Sequence, residues 1–206
     1  MKDSKIHWDR IYSTKTSNEL SWTQAFPQTS LNFLHNLNIP KNSPIIDVGG
    51  GESVFVDYLL REGYTDITVL DISERALANS RERLGPEDAS RVQWIVSDVT
   101  AFSPTRKYHF WHDRATFHFL TSENQVAAYI SLATKAIDSQ GYMMIGTFSE
   151  NGPEKCSGLP VVRYSGDLLT TTLSANFRKI HCITEDHETP FHTLQHFLFC
   201  SFRKIT

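Results

Sequence analysis

The run Ile45-Ile46-Asp47-Val48 passes directly into Gly49-Gly50-Gly51, and this junction narrows the possible folds more than any other stretch of the 206-residue chain. The apolar, partly β-branched run reads as a strand buried inside a sheet. Glycines immediately after it let the backbone turn sharply and approach a ligand with no side chain in the way. Ser53 is placed to cap a helix through about Glu62, where Val54, Phe55, Tyr58 and Leu59 recur at helical spacing and Gly63 provides the stop.

The same alternation continues along the chain. Ile67–Asp71 reads as a second strand, and Ser73 opens a helix through about Leu84. Val92–Val96 is a third strand, leading to Asp98, and Tyr108–Trp111 a shorter fourth. Ser122 to Asp138 carries Val126, Tyr129, Ile130, Ala133 and Ile137 on one helical side. A fifth strand, Tyr142–Phe148, is followed by a helix near Asp167–Leu173 and by two strands at about Lys179–Glu185 and Leu194–Arg203. Nearly all-apolar strands alternating with helices imply a parallel sheet covered on both faces. The last two strands are joined by a short loop and should pair antiparallel. The expected fold class is therefore α/β, a doubly wound seven-stranded sheet that is mostly parallel with an antiparallel last strand.

Without repeats, low-complexity tracts or long linkers, the chain reads as one domain, 1–206. Residues 1–43 form an aromatic, mostly helical cap with breaks near Thr14–Asn18 and at Pro27, 44–150 form the core, and 151–206 supply a loop and a C-terminal β-hairpin. A net charge of −3 with no basic cluster gives no general attraction to nucleic acid or anionic membrane. No apolar run reaches membrane-spanning length. Cys156, Cys182 and Cys200 are odd in number and lack CxxC spacing, which argues against a disulfide framework and for a cytoplasmic location.

In an open parallel sheet, ligands bind outside the carboxyl ends of the strands, at the topological switch point. Four such ends carry chemistry here. The first gives Asp47 and the glycines. The second ends in Asp71, about twenty residues later, the usual separation for a carboxylate that accepts ribose hydroxyls. The third gives Asp98 and Val99, suited to an amino group and an aromatic ring face. The fourth gives His112, Asp113 and Arg114.

Over roughly residues 44–150, and again in its terminal hairpin, the chain resembles the class I S-adenosylmethionine-dependent methyltransferases, whose sheet is Rossmann-like. The resemblance implies that Asp47, Gly49 and Gly51 hold the methionine end of the cofactor. It also implies that Asp71 binds the ribose with Ile72 beside the adenine, and that Asp98 and Val99 hold the adenine. Tyr12 and Trp22 are candidate lid residues, and S-adenosylhomocysteine is the implied product. A nicotinamide-binding domain is the competing reading. Counted from Gly49, however, the last position of a G-x-G-x-x-G turn is Val54, too large for close helix–strand contact.

Methyl transfer from a sulfonium needs an aligned acceptor and a dry site, and a base only where the acceptor arrives protonated. His112 or Asp113 is placed to orient or deprotonate an acceptor, Arg114 to hold an anionic group, and His118 to share its face. The structural alternative is an Asp113–Arg114 ion pair with His118 packed among aromatics. Cys156, in the Gly152–Pro160 loop, reads as an inert thiol rather than a substrate contact. His187, Glu188, His192 and His196 fit no zinc spacing and read as a polar hairpin loop, so no metal is expected. The expected partner is a small-molecule acceptor, with a protein lysine or amine as the alternative. His112-Asp113-Arg114-Ala115 stands where amino-methylating members carry an Asn/Asp-Pro-Pro-Tyr/Phe motif, which disfavours amines of bases or glutamine. A degenerate, non-enzymatic partner subunit is opposed by the intact Asp47, Gly49, Gly51, Asp71 and Asp98 set.

Overall fold

The computed structural model describes residues 2–205. The chain begins with α1 (Lys2–Thr14), a 3-10 turn at Ser17–Glu19 and α2 (Gln28–Asn36), so the cap breaks where its sequence does. Five strands and three helices follow: β1 (Ile45–Val48), α3 (Phe55–Arg61), β2 (Ile67–Asp71), α4 (Glu74–Ala89), β3 (Val92–Val96), β4 (Tyr108–Arg114), a 3-10 turn at Phe117–Phe119, α5 (Glu123–Ala136) and β5 (Ile137–Phe148). A two-stranded loop, β6 (Lys155–Cys156) and β7 (Leu159–Pro160), leads to α6 (Gly166–Leu173) and the long hairpin β8 (Phe177–Glu188) and β9 (Leu194–Lys204).

The seven long strands lie in the order β3-β2-β1-β4-β5-β9-β8. β1 to β5 run parallel, whereas β9 is antiparallel to β5 and to β8. This is the expected doubly wound sheet. Strand order reverses between β1 and β4, which places the crevice above their carboxyl ends.

Period-two alternation divides the core. Ile45, Val69, Phe110 and Met144 pack with Leu34 of α2 and Phe55 and Leu59 of α3. Ile46, Leu70, Trp111 and Met143 face Tyr129 and Ala133 of α5 and Leu169 of α6. Each fully buried large apolar side chain of this kind contributes roughly 1.5–3 kcal/mol. The helix starts follow the sequence: Ser73 Oγ accepts from Ala76 N at 3.1 Å, and Ser122 forms a capping box with Gln125.

Three departures have local causes. α4 runs past Leu84 to Ala89 because Gly85, at φ +76°, kinks the helix and Pro86 restarts it. α5 stops at Ala136, with Ile137 already extended, rather than at Asp138. β4 continues three residues beyond Trp111, so His112, Asp113 and Arg114 pair within the sheet instead of leaving it. The cysteine expectation is overturned as well. Cys182 and Cys200 stand opposite one another on β8 and β9 and are joined in a disulfide, leaving Cys156 free among the described residues. Hairpin register, not motif spacing, brings them together, so the cysteine count carries no argument about redox compartment.

The turn after β1 is set by sterics. Gly49 sits at φ +67°, and a Cβ there would lie 1.7 Å from Thr116 Oγ1; one on Gly50 would lie 2.7 Å from Asp47 Oδ2. Gly63 has φ +83° with open space around it. Gly63→Ala should therefore cost ~1 kcal/mol of backbone strain, and Gly49→Ala ~3 kcal/mol. Urea unfolding of the two variants measures both, and equal losses would show that the Thr116 contact relaxes freely.

Candidate active site

The ends of β1 to β4 surround a cavity of about 310 Å3. Its walls are Gly49, then Asp71 and Ile72, Asp98 and Val99, and Ala115 and Thr116 from the four successive strand ends. Trp8, Tyr12 and Trp22 border it from the N-terminal cap. A smaller cavity of about 40 Å3 shares Tyr12, Trp22, Gly49 and Arg114 with the first and reaches Asp47 and Glu52. Of the nine cofactor-site residues read from the sequence, eight line one or other of these two cavities, and Gly51 lies in the turn next to Tyr12 and Asp71. A Cβ on Gly51, at φ +46°, would lie 2.8 Å from Tyr12 Oη and 3.2 Å from Asp71 Oδ2.

The three carboxylates are held differently. Asp71 is buried, and its Oδ1 accepts from Ser73 N at 2.7 Å. Burial, opposed by its backbone hydrogen bonds and reinforced by the nearby Asp47, pushes it up to about 7. Asp98 Oδ1 accepts from the backbone N and the hydroxyl of Thr100 at 2.8 and 2.7 Å. Asp47 Oδ1 bonds His112 Nδ1 at 2.6 Å, and its buried Oδ2 has no partner among the described residues.

On β4 the structure separates residues that the sequence grouped. His112 lies beneath the glycine turn, stacked on Phe55 at 4.1 Å, with Nε2 against Ser30 Oγ at 2.8 Å. Asp113 points to the opposite face. Its Oδ1 accepts from Thr116 N and Phe117 N, both at 3.1 Å, and its Oδ2 from Tyr129 Oη at 2.7 Å, while burial pushes its carboxyl up to about 6. His118 is sealed against Phe148 at 4.5 Å, and burial pushes it down to about 3, so it stays neutral. None of the three borders either cavity. Their assignment as acceptor-facing acid–base groups is corrected: strand pairing carries His112 and Asp113 into the sheet interior, and the turn after it buries His118. Arg114 alone of the four lines both cavities, and it makes no ion pair with Asp113.

The cap is fastened from two sides. Ser73 Oγ donates to Asp9 Oδ1 at 2.7 Å, and Asn79 Nδ2 to the Tyr12 carbonyl at 3.3 Å, so α1 is docked on the start of α4. Arg114 Nη1 donates to the Trp22 carbonyl at 2.8 Å, and His187 Nε2 bonds the Ser21 carbonyl at 2.8 Å. Gln195 Nε2 donates to Ser21 Oγ at 3.2 Å. His187 and Gln195 therefore anchor the Ser21–Trp22 segment and border neither cavity. His192 and His196 pair with Glu188 and Asp186 on the exposed hairpin. Trp8 was missed in the sequence, although it stands one helical turn before Tyr12. Its ring meets Trp22 at 5.8 Å and Phe119 at 5.2 Å, completing an aromatic wall. Cys156 borders the cavity with its thiol pushed up to about 11 by burial, an uncharged wall group.

A doubly wound sheet with its polar strand ends gathered at one switch point defines a Rossmann-like α/β domain. Residues 45–141 match the family model described as a methyltransferase domain. EEF1A lysine methyltransferase 2 of Mus musculus is 26% identical over 158 residues, covering 69% of this chain and 64% of that protein, so the chain spans a little under two thirds of that relative. The structure described as "Conversion of a Disulfide Bond into a Thioacetal Group during Echinomycin Biosynthesis" superposes with a TM-score of 0.78 at 18% identity, covering 98% of this chain and 93% of that one. N-methyltransferase NodS from Bradyrhizobium japonicum WM9, in complex with S-adenosyl-L-homocysteine, superposes with a TM-score of 0.72 at 14% identity over 98% of both chains. A methyltransferase domain is thus matched over residues 45–141, and the chain shares the fold of these two structures.

Because Asp113 satisfies three buried donors, Asp113→Ala should lower stability by ~3 kcal/mol or more. Thermal unfolding checks this. A variant of native stability that had lost only turnover would restore Asp113 to a chemical role.

Proposed function

We propose that the protein transfers the methyl group of S-adenosylmethionine to a small-molecule acceptor and releases S-adenosylhomocysteine. The observation that carries this reading is the 310 Å3 cavity, to which each of four strand ends contributes a wall and which Trp8, Tyr12 and Trp22 border. In this reading Asp71 accepts the ribose hydroxyls and Asp98 the adenine amino group, with Ile72 and Val99 against the ring. Gly49 and Gly51 let the methionine end approach the backbone, and the unpartnered Asp47 Oδ2 faces its ammonium. When bound, the cofactor supplies a methyl already activated on a sulfonium. The protein's own work is then to orient the acceptor and exclude water. The aromatic wall does the second, and Arg114 is the polar group placed for the first. A base is not required of His112, Asp113 or His118.

The aromatic rings of Trp8, Tyr12 and Trp22 along the cavity support a small acceptor over a polypeptide segment. Lysine methylation, the activity in the name of the mouse relative, remains the alternative acceptor class. No helix among the described residues is long and apolar enough to cross a membrane. We expect no nucleic-acid or membrane partner, since a net charge of −3 gives no general attraction to either.

Isothermal titration with S-adenosylmethionine, S-adenosylhomocysteine and NAD in parallel tests the reading; the first two should bind and NAD should not, and binding of NAD alone would overturn it. Asp71→Ala should weaken S-adenosylhomocysteine at least tenfold, because a hydrogen bond to a charged group contributes ~1.5–3 kcal/mol. The pH dependence has a definite sign. Ribose hydroxyls donate to the ionised carboxylate, and Asp71 in the empty site holds its proton up to about 7. Affinity should therefore fall as pH drops below about 7, by up to about tenfold per unit, and level off above it. Titrations from pH 5.5 to 8.5 measure the slope, and an affinity flat across that range would remove Asp71 from the ribose contact.

A further inference from the structure

Arg114 carries an unsatisfied demand that the cofactor contacts above leave open. Its Nη1 is used by the Trp22 carbonyl, but Nε and Nη2 are shut off from solvent with no hydrogen-bond partner among the described residues. Neither neighbouring carboxylate hydrogen-bonds the guanidinium: Glu185 accepts from Thr29 Oγ1, and Asp47 spends Oδ1 on His112 while its Oδ2 has no partner among the described residues. A guanidinium cation held this way has a strong need for an anion, since a buried charge without a partner is costly. Burial has already drawn it down from its ordinary value to about 10.

Its position says whose anion. The guanidinium stacks over Phe197 of β9 at 4.8 Å, and its stem passes Gly146 of β5, where an added Cβ would lie 3.4 Å from Arg114 Cγ. It therefore leans toward β5 and β9, away from Asp71 and Asp98 at the ends of β2 and β3. Nε and Nη2 form one edge of the guanidinium fork, the edge that grips both oxygens of a carboxylate. The buried thiol of Cys156 and the ring of Trp22 supply uncharged walls beside it.

We propose that Arg114 is the specificity residue for the methyl acceptor, and that the acceptor is a small carboxylic acid whose carboxylate docks on Nε and Nη2. The proposal rests on the methyltransferase reading for the word acceptor, although the anion site itself does not. The cofactor's own α-carboxylate has the same chemistry, and the experiment separates the two sources.

Benzoate and its uncharged isostere benzamide are titrated against the full chain, with and without saturating S-adenosylhomocysteine, reading tryptophan fluorescence from Trp8 and Trp22. Benzoate should bind at least tenfold more tightly than benzamide with S-adenosylhomocysteine present. Arg114→Ala should abolish the difference, and Arg114→Lys should keep part of it by retaining charge without the fork. In a second arm, S-adenosylhomocysteine is compared with 5′-methylthioadenosine, which lacks the amino-acid end. Loss of the Trp22 anchor in Arg114→Ala weakens both alike, so the ratio of their affinities should stay within about twofold of wild type. A tenfold fall in that ratio would assign Arg114 to the cofactor's carboxylate and overturn the proposal. Equal binding of benzoate and benzamide to the wild type would overturn it too. If S-adenosylhomocysteine fails to bind at all, the methyltransferase reading falls, while the benzoate arm run without it still decides whether the anion site exists.

Discussion

The hydrogen bond between Asp47 and His112 joins the two strands that diverge at the switch point, and the site is built on it. The residues are register partners on β1 and β4, both almost wholly buried, at 2.6 Å. Ser30 closes the chain at His112 Nε2 and thereby ties α2 to the same pair. Removing one partner of a buried hydrogen bond leaves the other's polar group unsatisfied, at a cost of ~1–3 kcal/mol. The arrangement fixes where β1 ends and hence where the glycine turn begins. It also leaves one oxygen of Asp47 unspent beside the smaller cavity. Structural and ligand-facing demands are divided between two atoms of a single carboxylate.

The same division runs along β4. His112, Asp113 and Arg114 are consecutive and polar, yet they have three destinations. Pleating sends His112 to the α3 face and Asp113 to the α5 face, where each finds a full set of partners. Arg114 returns to the His112 side, but one residue pair higher, past the end of β1, where the sheet no longer covers it. Strand length therefore decides which of the three meets the cavity. Ala115, immediately after, takes φ +66° and turns the chain across the cavity wall. A strained non-glycine residue at such a place is held by its surroundings, here by Ala115 N donating to the Gly146 carbonyl at 2.8 Å.

What was legible in the sequence was local. A glycine turn after an apolar strand, a serine before a helix, and a carboxylate at a strand end each express their geometry within a few residues. The sheet, the cap breaks and the ring of Asp47, Asp71 and Asp98 could be read for that reason. What escaped depends on partners far along the chain. Whether His112 faces a cavity or Ser30 is set by a contact 82 residues away. Cys182 and Cys200 look unrelated until hairpin register places them opposite each other. His187 resembles a metal ligand by composition, yet it serves the Ser21 carbonyl, 166 residues away. Polar residue types announce that a bond will be made, and the tertiary fold alone chooses with whom.

Arg114 links the two halves of the molecule through one side chain. Its Nη1 holds the Trp22 carbonyl, so the roof of the cavity is fastened to the floor of the acceptor side. The same residue lines both cavities. An anion arriving there would neutralise the charge that now lacks a partner and would stiffen the arginine in the rotamer that holds Trp22 down. The proposed anion contact and the Trp22 contact would thereby share one side chain. The reinforcing contacts of His187 and Gln195 on Ser21 pin the same segment to the hairpin independently of that side chain.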